Sequence, residues 1–228
     1  MKKAGIIWLV LFLLLAYAVS GAESAAAPSA GDESYSLHRI DGSPDWDSVA
    51  VIPADRVLWT EDAGIRAGGQ LCYEDETLYV HLWATEKDIR AVNTEPLSPV
   101  HEDSCLEFFF QLPGYDSYFN FEINPIGCLR IQYGPTKEDR IDIVRNDAAA
   151  YFGIQADLTS DGWEVYYQIP LGFIRLFCPD ARLAGEWRGN IYKCGNKTVK
   201  KHYLSWTRID LETPNFHCPE YFGTFLFE

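Results

Sequence analysis

From residue 35 onward, apolar and polar positions alternate in short runs punctuated by Gly, Pro, Asp and Ser, a period of two that predicts β-strands. Residues 78–83 (Leu-Tyr-Val-His-Leu-Trp) follow the turn-prone Glu74-Asp75-Glu76. Cys105–Gln111 is apolar and aromatic and stops before Pro113-Gly114. The clearest alternation is Tyr118-Phe119-Asn120-Phe121-Glu122-Ile123-Asn124, closed by Pro125. Residues 163–169 follow Ser160-Asp161-Gly162, and 221–227 form a last strand. One helical candidate, 171–177, starts after Pro170. Many short strands with such punctuation predict an all-β protein: an antiparallel β-sandwich, jelly-roll or immunoglobulin-like, with one short helix. Trp163, Phe121 and Phe222 read as core.

Alternation also assigns faces. Leu106, Phe108 and Phe110 share one side of their strand, and Cys105, Glu107 and Phe109 the other. Phe119, Phe121 and Ile123 oppose Asn120, Glu122 and Asn124. If the two strands pair, Glu107 sits near Asn120 and Glu122 on one polar face. Two readings follow. An antiparallel sheet often leaves one face solvated. Alternatively, a polar strip beside aromatic loops suits a sugar, whose C–H face packs on rings while its hydroxyls bond amides and carboxylates.

The first 34 residues break the strand pattern. Lys2 and Lys3 precede an apolar run from Ile6 to Ala16, and Ser20-Gly21-Ala22 supplies small residues, so a signal peptide (1–22) cleaved after Ala22 is expected. The run is short for a membrane span of about 20 residues. Residues 23–34, rich in Ala, Ser, Pro and Gly, read as a flexible leader. One domain, 35–228, remains. The expected location is exported, periplasmic or extracellular, without stable membrane insertion after cleavage.

Without Lys2 and Lys3, the 19 basic residues fall to 17 against 33 acidic ones, a net charge of −16. That sign argues against nucleic acid and anionic membranes as partners. The six cysteines (Cys72, Cys105, Cys128, Cys178, Cys194, Cys218) are even in number. Disulfides are therefore allowed in an oxidising compartment, with 15 pairings open. Their wide, irregular spacing without C-x-x-C gives no zinc cluster in the sequence.

The string His101-Glu102-Asp103-Ser104-Cys105-Leu106-Glu107-Phe108-Phe109 resembles a strand of family 9 carbohydrate-binding modules, within the DOMON-like sandwich superfamily. The resemblance continues through the 118–127 stretch, Trp163 with Ile169-Pro170-Leu171, Asn190-Ile191-Tyr192-Lys193-Cys194, His202-Tyr203-Leu204-Ser205-Trp206, Phe216-His217 and Phe222-Gly223. It implies a β-sandwich that binds mono- or oligosaccharides, commonly in company with glycoside hydrolases of polysaccharide degradation; here the hydrolase is expected to be a separate protein. Members clamp the sugar between two tryptophans. His101 and Phe216 fall at those places, with Trp83, Trp206 or Tyr115 available to compensate. Polar contacts map onto Glu107, Asn120 and Tyr192, with Glu122 and Lys193 adjacent. The family often carries structural calcium. Asp45, Asp47, Glu61 and Asp62 are acidic loop candidates, but no spacing singles out a site, and no metal ligand is assigned.

Three other readings stay open. A glycosidase would use Glu107 and Glu122, although no G-x-S-x-G, H-E-x-x-H or P-loop motif occurs. A haem-binding DOMON-type domain would need two of His38, His81, His101, His202 and His217, because Met1 is the sole methionine. A structural surface protein needs only the sandwich. The expectation carried forward is binding without catalysis.

Overall fold

The computed structural model describes residues 33–228. The expected signal peptide and nearly all of the leader lie outside the described residues. The strands, in chain order, are β1 (Ser34–Leu37), β2 (Ile52–Ala54), β3 (Arg56–Val57), β4 (Arg66–Glu74), β5 (Thr77–Thr85), β6 (Cys105–Gln111), β7 (Tyr118–Ile123), β8 (Leu129–Gly134), β9 (Ile141–Ile143), β10 (Gln155–Leu158), β11 (Gly162–Pro170), β12 (Gly185–Gly195), β13 (His202–Ser205) and β14 (Gly223–Phe227). Two single-turn helices, α1 (Ala148–Tyr151) and α2 (Leu171–Ile174), interrupt them. No helix among the described residues is long and apolar enough to cross a membrane.

The strands form two packed sheets. One runs β1-β14-β12-β6-β7-β8-β9, with β13 pairing to β12 and to β3; the other runs β10-β11-β5-β4-β2. Pairing between strands is antiparallel apart from β1 with β14, which run parallel. The expected sandwich is present, with that one parallel pair and a second short helix added. Helix α2 begins at the expected residue but closes after one turn. Residues 221–222 lie outside the last strand because Pro219–Tyr221 winds as a 3₁₀ turn.

The inter-sheet core follows the alternation. Leu106, Phe108, Phe110, Phe119, Phe121 and Ile123 meet Leu78, Val80, Leu82, Trp163, Val165 and Ile169 from the opposite sheet. At about 25 cal/mol per Å² of apolar surface, such large side chains dominate the stability.

The other face of β6 and β7 was expected either to meet solvent or to form a strip beside aromatic loops. It is covered. Leu58, Val100, Tyr203, Ile209, Phe216 and Phe222 pack with Cys105, Phe109, Tyr118 and Tyr192 in a second apolar cluster. Glu107, Asn120 and Glu122 end up 2%, 0% and 3% exposed. Phe222 is buried as expected, but in this outer layer and not between the sheets.

Candidate functional site

Strand β6 lies between β7 and β12, and pairing register gathers the site. Glu107 is opposite both Glu122 on β7 and Tyr192 on β12, and Cys105 is opposite Cys194. Period-two alternation on three strands thus stacks these side chains on one face. A pocket of about 160 Å³ opens over them. Its floor holds Glu107, Glu122 and Cys194; its walls include His101, Trp59, Tyr203, Phe216 and His217; Lys137 and Arg140 stand at its side. The two cations arrive on the β8–β9 connection. Gly134 permits that tight turn: a Cβ there would lie 2.2 Å from the Asp139 carbonyl oxygen.

The carboxyls differ although they are cross-strand neighbours. Burial pushes the Glu107 carboxyl well above the usual range, reinforced by Cys194 and by Glu122. Its Oε1 accepts a hydrogen bond from the Cys194 thiol at 3.0 Å. Burial also raises Glu122, but neighbouring His101 and the Arg130 guanidinium outweigh it, and the net shift is downward. Asn120 Nδ2 donates to Glu122 Oε1 at 2.8 Å. Glu122 Oε2 has no hydrogen-bond partner. His101 Nδ1 is 3.7 Å away, beyond hydrogen-bond range. His217 is held neutral: burial first, then Arg140, lowers its pKa to about 3.

The aromatic wall is continuous. Phe216 stacks on Tyr192 with centroids 4.1 Å apart and planes 6° apart. Trp59 leans on Phe216 at 5.6 Å and meets Tyr203 edge-on at 5.5 Å. The Trp59 backbone has φ 54°, a left-handed conformation unusual for a bulky residue. Its indole N–H donates to the Leu211 carbonyl at 2.6 Å. A strained backbone fixed by a hydrogen bond at a pocket mouth is a common companion of function.

Of the residues the sequence proposes, His101, Glu107, Glu122 and Phe216 line the pocket. Asn120 and Tyr192 do not: Asn120 orients Glu122 from behind, and Tyr192 supports Phe216 from beneath. Lys193 is on the opposite face of β12, because it neighbours Tyr192 in a strand of period two. There it pairs with Glu86 at 3.0 Å. Trp83, Trp206 and Tyr115 do not compensate at the pocket. Trp206 stacks on Phe225 in the core, Tyr115 packs against the core, and Trp83 lies over Gly68 on the other sheet. The further aromatic lining the pocket is Trp59, which no local pattern marks.

The expected calcium candidates do not converge. Asp62 is tied to the Gly64 amide and to Arg66. Among the described residues the one grouping of three candidate metal-binding side chains is Cys105, Glu107 and Cys194. All six cysteines are free thiols. The histidines give no facing pair of unengaged rings for haem. His38 pairs with Glu228, His81 lies between Gln70 and Glu164, His202 sits between Lys193 and Lys200, and His217 is bound by Tyr118 and Arg140.

A two-sheet sandwich with an aromatic-walled, carboxylate-floored pocket on a sheet face has the form of a ligand-binding module. The family model for carbohydrate-binding family 9 matches residues 40–227, and the chain belongs to that family: it is a carbohydrate-binding protein. Similar solved structures include a candidate carbohydrate-binding protein from Bacteroides uniformis, 30% identical, with TM-score 0.75 over 86% of this chain and 99% of that one. Family 9 modules from Caldicellulosiruptor kristjanssonii in complex with cellotriose (12% identity, TM-score 0.56, 86% and 94% covered) and with glucose (14%, 0.55, 86% and 96%) share the fold. No curated protein matches the chain.

Proposed function

We propose that the pocket over Glu107 and Glu122 holds a mono- or oligosaccharide and releases it unchanged. One observation carries this reading. Glu122 Oε2 is buried at an aromatic-walled pocket without any hydrogen-bond donor. A buried acceptor left unpaired costs about 1–3 kcal/mol, and a sugar hydroxyl supplies the missing donor. Trp59 and Phe216 offer ring faces to the sugar's C–H surface. The cellotriose and glucose held by family relatives make glucose-based ligands the first to try. The wider role we assign is that of an exported module serving separate glycoside hydrolases in polysaccharide breakdown; the signal-like pattern of residues 1–22 supports export.

A second reading rests on the opposed shifts of Glu107 and Glu122, which resemble an acid and a base. Against hydrolysis stands the engagement of Glu107 by the Cys194 thiol. Calorimetry of residues 23–228 with glucose, cellotriose, xylo- and galacto-oligosaccharides separates the two. Binding that is weakened in Glu122→Gln, with no reducing sugar released on long incubation, is the expected result. Silence with every glycan overturns the binding reading, and sugar release that stops in Glu107→Gln replaces it with hydrolysis.

A further inference from the structure

We propose that Cys105, Glu107 and Cys194 form a site for a thiophilic divalent cation such as zinc. The two thiols and the carboxylate place their donor atoms within 4.8 Å of one another. Register makes this arrangement rigid. Cys105 and Glu107 are two apart on β6 and point the same way, and Cys194 is directly opposite Cys105 on β12. Spacing rules overlook such a site because they register only ligands close in sequence; here strand pairing joins distant ones.

The donor set selects the ion. Two sulfurs and one oxygen suit a borderline-soft cation and not calcium, which takes six to eight oxygens. Bonds of about 2.3 Å to sulfur and 2.0–2.2 Å to oxygen put tetrahedral donors roughly 3.5 Å apart. Cys194 Sγ is already 3.0 Å from Glu107 Oε1, so modest side-chain rotation completes the triangle. All three groups are buried, and the ion would take the place of the protons they carry. Glu107 and Cys194 line the pocket while Cys105 lies behind them, so the fourth coordination position faces the pocket, beside His101. A structural zinc site has four protein ligands; three with an open vertex is the pattern that admits a water or an exogenous ligand.

The site shares Glu107 and Cys194 with the pocket floor but does not require a sugar, and its test contains none. Cobalt(II) is titrated into the reduced, metal-free protein under argon. A thiolate-to-cobalt charge-transfer band that saturates at one equivalent and is displaced by zinc is expected. The band disappears in Cys105→Ser and in Cys194→Ser, persists in Cys218→Ser, and needs at least tenfold more cobalt in Glu107→Gln. Zinc-edge X-ray absorption on the unaltered protein, which requires no variant to fold, is expected to show two sulfur scatterers with oxygen or nitrogen completing the shell. Absence of the band, its survival without Cys105 and Cys194, or a zinc shell without sulfur overturns the proposal. So does a Cys105–Cys194 disulfide in the protein as exported.

Discussion

Strand β12 carries a buried polar centre on each face, and the two are built differently. Toward the inter-sheet core, Lys193 bonds Glu86 at 3.0 Å and His202 Nε2 at 2.7 Å. Glu86 also accepts from Ser104 at 2.9 Å and from the Trp163 indole at 3.2 Å. Every member is satisfied, and the group reads as part of the fold. On the pocket side the network stops short. Asn120 orients Glu122, yet Asn120 Oδ1 and Glu122 Oε2 lack partners. A polar network closed on itself stabilises, while the open one is where we place the ligand.

The largest expected effect strikes the closed centre. Lys193→Met leaves Glu86 as a buried charge without its counter-ion and should destabilise the protein by about 3–5 kcal/mol in urea unfolding. Sugar affinity at a temperature where the variant is folded should hold; a variant that keeps its stability but loses sugar would erase the contrast. Glu122→Gln probes the open centre. It should weaken saccharide binding by about 1.5–3 kcal/mol, the worth of hydrogen bonds to a charged group. The unfolding midpoint should barely move.

Phe216→Ala blurs the contrast in an informative way. Loss of one aromatic anchor weakens binding by about 1–3 kcal/mol. Phe216 is only 8% exposed and lies flat on Tyr192, so stability should fall too, unlike the fold-neutral change expected of a free loop residue. Calorimetry and unfolding on the same variant give both numbers.

The most gradual effect is a pH slope shared by the two centres. His217, with its pKa lowered to about 3, and His202, lowered to about 4 chiefly by burial and then by Lys193, refuse protons that the unfolded chain accepts near 6.5. The unfolded state therefore binds more protons as pH falls below 6.5, and stability is lost down to about pH 4 and then pH 3. Each histidine contributes up to about 1.4 kcal/mol per pH unit. His217→Asn should flatten its share of the slope in urea titrations at pH 7, 6 and 5, and an unchanged slope would show that ring to be solvated.

The contrast also explains what the sequence discloses. Faces on β6 and β7 were legible because Phe119, Phe121 and Ile123 alternate with Asn120 and Glu122, and because Leu106 and Phe108 flank Glu107. Burial of the polar face was not, since its cover comes from Leu58, Trp59, Ile209 and Phe216, far away in the chain and without a periodic signal. Lys193 was misplaced by adjacency to Tyr192, where a period of two demands opposite faces. The Cys105–Cys194 meeting depends on the β6–β12 register, and the glycines of β12 blur its alternation.

The parallel seating of β1 beside β14 sets a clock for folding. Gly223–Phe227 fill the slot between β1 and β12, with Ser34 registered against Thr224. Until those five residues have been synthesised, β1 has no strand to pair with and that edge of the sheet is incomplete. Contacts so distant in sequence make assembly slow, in the millisecond-to-second range of all-β topologies.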